Sequence, residues 1–255
     1  MNHNKKIAII IPSCDKYSDV WSLLSQSYDK FWNDCIYKKY IITNSDISVP
    51  YNFNPINVWS DVDWSSNLIF AIKNIDTDYI LLHIDDLIFC SNVNSKYVEK
   101  YVDTAVSQNF NYLQFINYDW WKYEHNLLEK KVNEPYRTST IFSLRKKDIL
   151  LNLLRVWENP RQFEVDWTQR SKNSDKWFFL WKSWFEFVNL IIKGYLEWRS
   201  LKKLEAIWLQ YKGNRIKMSK FKNFIYTLKC KIFDLIILMP NIISKNLVKI
   251  SRKVW

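Results

Sequence analysis

Two adjacent carboxylates, Asp85 and Asp86, follow directly on the apolar run Tyr79–Ile84 (YILLHI). Side by side they repel one another, and burial would strip their hydration, so something must compensate. A divalent cation with a preference for oxygen, Mg2+ or Mn2+ bridging a diphosphate, is one answer. A solvated turn or a helix N-cap is the other. Two more polar clusters close apolar runs in the same way, Ser13–Asp15 after KIAIIIP and Asn44–Asp46 after KYIIT. A further pair of acids, Glu164 and Asp166, lies in the polar segment Phe163–Arg170. His83 sits inside an apolar run and reads as a hydrogen-bonded core residue, whereas His125 beside Glu124 reads as exposed. Cys14 has no base pattern near it and reads as a small packing residue.

The elements that must position these groups alternate. Lys6–Pro12 is a continuous apolar run, as expected of a strand buried on both faces. Val20–Trp32 carries Leu23, Leu24, Tyr28, Phe31 and Trp32 at helical spacing. Lys39–Thr43 and Ile56–Trp59 read as strands, Trp64–Ile75 as a helix and Tyr79–Ile84 as the strongest strand. Strand, helix, strand, strand, helix, strand implies a parallel sheet, whose ligand crevice lies beyond the carboxyl ends of its strands. All three polar clusters fall at such ends. Further on, Ser95–Val106 reads as a helix, Tyr112–Ile116 and Thr138–Leu144 as strands, and Lys147–Trp157 as a helix stopped by Pro160. An aromatic stretch, Trp177–Phe187, leads to the apolar run Val188–Ile192.

Composition sets outer limits. The chain has 255 residues, with 48% hydrophobic and 25% charged, which is globular and excludes wholesale disorder. Its 2 glycines are Gly194 and Gly213, so neither a G-x-G-x-x-G turn nor a P-loop can be built. No two cysteines stand in C-x-x-C spacing and there are 3 histidines, so a structural zinc site is not expected. The run Ile7–Ile11 is too short for a secretory signal, which with the thiols suggests a cytoplasmic setting.

The N-terminal third resembles the GT-A glycosyltransferases, in particular the family-2-like bacterial enzymes of surface polysaccharide, O-antigen or lipooligosaccharide synthesis. IIIPSCD resembles their opening strand and loop, IITNSD the second strand, and DWSSNLIFAIKNIDTDYILLHIDD the helix, strand and acidic motif. Where the family carries D-x-D or D-D-D, this chain has His83-Ile84-Asp85-Asp86, so the first acid is missing. The resemblance implies an α/β, GT-A-like, mostly parallel sheet flanked by helices. It places Ser13 and Asp15 by the nucleotide, Asn44 and Asp46 near the base and ribose, and Trp64 and Asn67 in the donor pocket. Asp85 and Asp86 would face a divalent cation and the diphosphate, with Asp85 also against the donor. ENPRQFEVD resembles an N-P-W-x-F-E segment of related transferases, with Arg161 where Trp would stand. An inverting transferase needs a carboxylate to take the acceptor's proton. Glu164 is the first choice and Asp166 the second, with a surface Glu as the alternative.

Residues 1–211 are expected to form the catalytic domain, with a nucleotide-sugar half to about 110 and an acceptor half from about 111. Residues 212–255 form a basic tail. The tail carries 11 basic residues against Asp234, while residues 1–211 carry 26 basic and 25 acidic. Phe221, Phe224, Ile225, Leu228, Ile232, Leu235, Ile236 and Met239 recur at helical spacing, flanked by Lys220, Lys222, Lys229 and Lys231. A second stripe, Ile243, Leu247, Ile250 and Val254, follows Pro240. Such an amphipathic, basic helix fits an anionic membrane surface; packing on the body is its alternative. The expected function is transfer of a sugar from a UDP-sugar to a lipid-linked or lipid A-core oligosaccharide at the inner membrane face. Two rivals are a nucleic-acid-binding protein that uses the tail and a non-catalytic nucleotide-sugar-binding partner in an assembly complex. The near-neutral body speaks against the first.

Overall fold

The computed structural model describes residues 6–115, 126–132, 137–181 and 185–237. The first half runs β1 (Ile7–Ile11), α1 (Ser18–Phe31), β2 (Lys38–Thr43), β3 (Asn54–Asn57), α2 (Trp64–Lys73) and β4 (Tyr79–Leu82). β5 (Leu87–Phe89), α3 (Ser95–Ser107), β6 (Tyr112–Gln114), β7 (Leu127–Glu129), β8 (Ser143–Lys146), α4 (Lys147–Leu153) and α5 (Pro160–Arg170) follow. Then come β9 (Trp177–Leu180), β10 (Phe187–Asn189), β11 (Ile191–Ile192), β12 (Tyr195–Leu196), α6 (Trp198–Ala206) and α7 (Lys220–Ile237).

An eight-stranded sheet in the order β3-β2-β1-β4-β8-β6-β9-β7 forms the centre. β3, β2, β1 and β4 pair parallel throughout, as the alternation of elements requires. β8 then enters antiparallel between β4 and β6, and β7 closes the far edge antiparallel to β9. Successive residues of β1 serve opposite layers. Ile9 and Ile11 pack with Leu23, Leu24 and Tyr28 of α1 and with Val98 and Val102 of α3. Ala8 and Ile10 pack with Leu68 and Ile72 of α2, Leu150 of α4, and Phe163 and Trp167 of α5. Each fully buried apolar side chain contributes about 1.5–3 kcal/mol, so these two layers hold the sheet. The fold is mixed α/β and GT-A-like.

Four expected elements differ from those observed. The strand expected over Ile56–Trp59 lies over Asn54–Asn57, and the other three differ for local reasons. The segment Phe163–Arg170 is not a loop but the body of α5. Pro160 opens the helix at its first position, and Asn159 caps it reciprocally with Gln162, with both hydrogen bonds at 2.9 Å. Pro160 was expected only to stop the preceding helix. That helix ends at Leu153, because Leu154 is extended and Trp157 adopts a left-handed backbone at φ 68°. The strand expected over Thr138–Leu144 begins only at Ser143. Upstream, the backbone N–H groups of Ser139 and Thr140 donate to side chains, Tyr112 Oη at 3.0 Å and Glu164 Oε1 at 2.6 Å, in place of a ladder. His125 and the second tail stripe lie outside the described residues.

Candidate functional site

The C-terminal ends of β1, β2 and β4 open onto one cavity of about 380 Å3. Pro12, Ser13, Cys14 and Tyr17 line it from the loop after β1, Ile42 from β2, and Ile84, Asp85 and Asp86 from the end of β4. Asp61, Trp64 and Asn67 close the α2 side, and Thr140 and Pro160 complete the wall. The position, beyond the carboxyl edge of parallel strands, is where such sheets bind ligands. A larger concavity of about 880 Å3 lies among Glu129–Val132, Arg137 and Lys172–Asp175 and gathers none of the residues singled out from sequence.

The acidic pair is held rather than solvated. Asp85 is buried, and its Oδ2 accepts from Ser13 Oγ at 2.5 Å, while Ser13 Oγ accepts from Trp21 Nε1 at 2.7 Å. Asp86 is half-buried, and its carbonyl takes the N–H of Leu190 at 2.8 Å. With its amide turned to donate, Asn189 Nδ2 reaches Asp86 Oδ2 at 3.0 Å. Burial raises the pKa of both carboxyls, and their mutual repulsion adds to the rise at Asp85. Arg215 pulls the other way on both. Its guanidinium stacks 4.5 Å from the centre of the Tyr17 ring and forks onto Asp19 at 2.7 and 3.0 Å.

The other expected residues separate into those that line the cavity and those that build its walls. Trp64 lines it and meets Phe163 edge to face, ring centres 5.1 Å apart. Asn67 lines it and donates to Asp61 Oδ1 at 3.1 Å. Asp15 and Asn44 are occupied with each other: Asn44 N donates to Asp15 Oδ1 at 2.8 Å, and Asp15 N donates to Asn44 Oδ1 at 3.0 Å. Ser45 Oγ adds a third bond to Asp15. This reciprocal pair ties the loop after β1 to the end of β2. Asp46 is exposed nearby.

Glu164 lies outside the cavity lining. Its Oε1 accepts from Ser139 Oγ at 3.0 Å, Thr140 N at 2.6 Å and Thr140 Oγ1 at 2.9 Å. Arg145, fully buried among Tyr112, Phe163 and Trp167, donates to the carbonyl of the same Ser139. Glu164 thus fixes the turn that brings Thr140 into the wall. Asp166, two residues on, is exposed on α5. Cys14 lines the cavity with its thiol pKa raised by burial and by Asp61, which leaves it a neutral packing group. His83 is a satisfied core residue. Its Nε2 faces the Leu87 carbonyl at 2.7 Å and so carries the proton, leaving Nδ1 to accept from Tyr28 Oη at 2.5 Å.

Sequence reasoning passed over Asp61, Tyr17, Thr140 and Arg215. Asp61 had a local signal, an acid just before the Asp63 helix cap. Arg215 had none, since it reaches the site from 196 residues away along the chain.

No family model and no curated protein matches the chain. Solved structures do. Residues 1–349 of S. aureus TarS align at 9% identity with a TM-score of 0.50, over 71% of this chain and 59% of that one. The same protein in complex with UDP aligns at 11% identity over the same shares, TM-score 0.49. A cytidylyltransferase from Leptospira borgpetersenii aligns at 11% identity over 83% of this chain and 99% of that one, TM-score 0.45. The first of these shows a shared fold. The chain spans about 59% of the length of the TarS structure.

Proposed function

We propose that the chain transfers a sugar from a nucleotide-sugar donor to an oligosaccharide acceptor, with a UDP-sugar as the expected donor. The observation that carries the reading is the acidic pair at the end of β4, Asp85 buried and Asp86 half-buried, inside a cavity at the carboxyl edge of the parallel strands. The fold supports it, since TarS is a staphylococcal glycosyltransferase. Two carboxylates kept in a low-dielectric wall gain most from a hard cation. Mg2+ or Mn2+ fits this donor set of oxygens when substrate phosphates complete the shell. Among the described residues no three His, Cys, Asp or Glu side chains gather as a ready-made cage, so the diphosphate itself would have to contribute. In this reading Asp85 and Asp86 hold the cation, and Ser13 orients Asp85. Trp64 and Asn67 shape the donor wall, and the Asp15–Asn44 pair sets the loop beside the base and ribose. The bound cation would offset the charge of the diphosphate as the nucleotide leaves.

The acceptor hydroxyl must lose a proton to a base within reach. Glu164 and Asp166 are the carboxylates that family likeness suggests. Glu164 stands outside the cavity lining, and its Oε1 is engaged by Ser139 and Thr140. We therefore assign Glu164 to positioning Thr140 and name Asp61, which lines the cavity, as the base to test against it.

The acceptor proposed is lipid-linked or a lipid A-core oligosaccharide, in bacterial surface polysaccharide synthesis at the cytoplasmic membrane face. Support comes from α7, where Phe221, Phe224 and Leu228 are exposed at helical spacing among Lys220, Lys222 and Lys229. Among the described residues no helix is long and apolar enough to cross a membrane. A helix that lies on anionic lipid fits both facts.

The test is a thermal-shift titration of the purified chain with UDP, with and without Mn2+, followed by transfer from UDP-sugars. Ligand at 100 times its dissociation constant adds about 2.7 kcal/mol to apparent stability. A cation-dependent gain that Asp86→Asn abolishes supports the reading. No gain with any nucleotide sugar overturns it.

A further inference from the structure

Two tryptophans close in the chain to the cavity residues Asp61 and Pro160 combine backbone strain with exposure. Trp59 has φ 62° and is 76% exposed, and Trp157 has φ 68° and is 72% exposed. Bulky side chains avoid the left-handed region, and such strain persists where the surroundings over-determine it. Both turns are fastened. Trp59 N donates to Asn57 Oδ1 at 2.7 Å. The N–H of Trp157 donates to the carboxylate of Asp63, which also caps α2 by accepting from Ser66 N at 2.8 Å. Glu158 N donates to Ser65 Oγ at 3.0 Å, and the Glu158 carbonyl takes Ser65 N at 3.2 Å. The Trp157 turn is therefore tied to the start of α2, whose Trp64 and Asn67 line the cavity. Trp59 stands five residues before Trp64 in the chain, with the cavity residue Asp61 between them. Val62 and Val156 are exposed in the same turns.

We infer that Trp59 and Trp157 form a saccharide-stacking rim on the donor cavity, which receives a sugar ring of the acceptor. The C–H faces of a pyranose are apolar and faintly positive, matching the negative face of an indole. The ring's hydroxyls need acceptors, and the cavity carboxylate Asp61 is at hand. A protein partner would need some 20–30 residues a side, far more than these two short turns offer. Residues 59–63 and 156–159 carry three acids and no base, which disfavours an anionic membrane. The inference rests on the glycosyl-transfer reading for its acceptor, so its test reads saccharide binding separately from nucleotide binding.

The experiment is saturation-transfer NMR and calorimetry on the full chain with chitotetraose, cellotetraose, maltotetraose and isomaltotetraose, with UDP plus Mn2+ run in parallel. At least one saccharide should bind. Trp59→Asn and Trp157→Asn should each weaken it roughly thirtyfold, a hot-spot-sized loss, and Trp157→Phe should restore part. Asn tolerates the left-handed backbone, so Trp157→Asn should melt at or above the parent temperature, which a merely structural indole would not allow. Trp208 shares the strain and exposure (φ 64°, 83%), but its turn is held by Lys30, in the last turn of α1; Trp208→Asn should change nothing. If no saccharide binds while UDP does, the rim inference alone is overturned. If saccharide binds and UDP does not, the donor reading falls and the rim stands. Unchanged binding in both Asn variants, or loss of anionic-vesicle binding instead of saccharide binding, also overturns the rim.

Discussion

Asp85 and Asp86 are costly where they stand, and His83, two residues earlier, is costly in the opposite sense. Burial lifts the two carboxyls, so between the ordinary carboxylate pKa and the raised one the folded chain holds more protons than the unfolded chain. Their contribution to stability therefore falls as pH rises. Burial lowers the His83 pKa from 6.5 to about 4, so its contribution is full above about 6.5 and is lost as pH falls toward 4. That loss is on the order of 3 kcal/mol. Urea midpoints measured from pH 4 to 7.5 separate the two. His83→Gln should make stability rise more steeply as pH falls from 6.5 to 4, and Asp86→Asn should reduce that slope to the share of the still-buried Asp85. A His83→Gln protein with the same slope as the parent over that range would sink the assignment. The base is decided at the same scale. Asp61→Asn should lower kcat by about 10² to 10⁴ with donor affinity little changed. Glu164→Gln, which releases the Thr140 turn, should raise KM and lower melting temperature together. The reverse pattern in steady-state kinetics would return the base to Glu164.

At the scale of elements, α2 and α5 place the site wall, and their caps decide how firmly. Asp63 accepts from Ser65 Oγ at 2.7 Å and Ser66 N at 2.8 Å, besides the N–H of Trp157. Burial alone would raise its pKa, and these donors outweigh burial and lower it. Asp63→Ala should cost about 1 kcal/mol, the usual loss for a helix cap. It should also free the Trp157 turn, so any saccharide affinity should drop with it, as read by calorimetry. α5 was hard to see because its apolar residues are few. Phe163 and Trp167 bury one narrow stripe, while the helix is set by Asn159, Pro160 and Gln162 at its start. The cap residues were visible in the sequence, but Pro160 was read as an end rather than a beginning.

Across the whole molecule, the segment after α6 returns to the loop after β1. Tyr211 Oη and the Arg215 fork both close on Asp19, and Arg215 Nη2 also reaches the Lys16 carbonyl at 2.9 Å. Gly213 makes the turn possible, since a Cβ there would lie 2.6 Å from the Tyr211 ring and 2.8 Å from Asp19 Cβ. Ile216 and Met218 then hydrogen-bond to Leu196 at 3.0 and 2.8 Å. The basic helix α7 thus follows directly on a strap tied to the loop after β1 and to the start of α1. Removing residues 220–255 should leave a folded body with its UDP binding intact and its sedimentation with anionic vesicles lost. Removing residues 212–255 should melt markedly lower, because Asp19 and Leu196 lose their partners. Arg215→Ala, which breaks a mostly buried pair, should cost about 1–3 kcal/mol by denaturant unfolding. Equal melting temperatures for the two truncations would show that the strap does not support the body.

The sequence alone determined what depends on short range. Continuous apolar runs marked β1 and β4 as buried strands, helical spacing marked α1 and α2, and polar residues at strand ends marked the crevice. Hydrophobic periodicity is local, and the alternation of elements leaves a parallel sheet few ways to form. The tertiary structure decided which polar groups face the crevice and which are consumed in building it. Asp15, Asn44 and Glu164 are acceptors of the same kinds as Asp61 and Asp85 in sequence. Only the arrival of Asn44, Ser139 and Thr140 from distant segments shows whose oxygens are already occupied. Arg215 reaches Asp19 by the same kind of closure. Asp61 and Asp85 are bonded too, to Asn67 and Ser13, yet they stay on the cavity lining. That placement depends on segments distant in the chain closing around one crevice, so only the tertiary structure decides it.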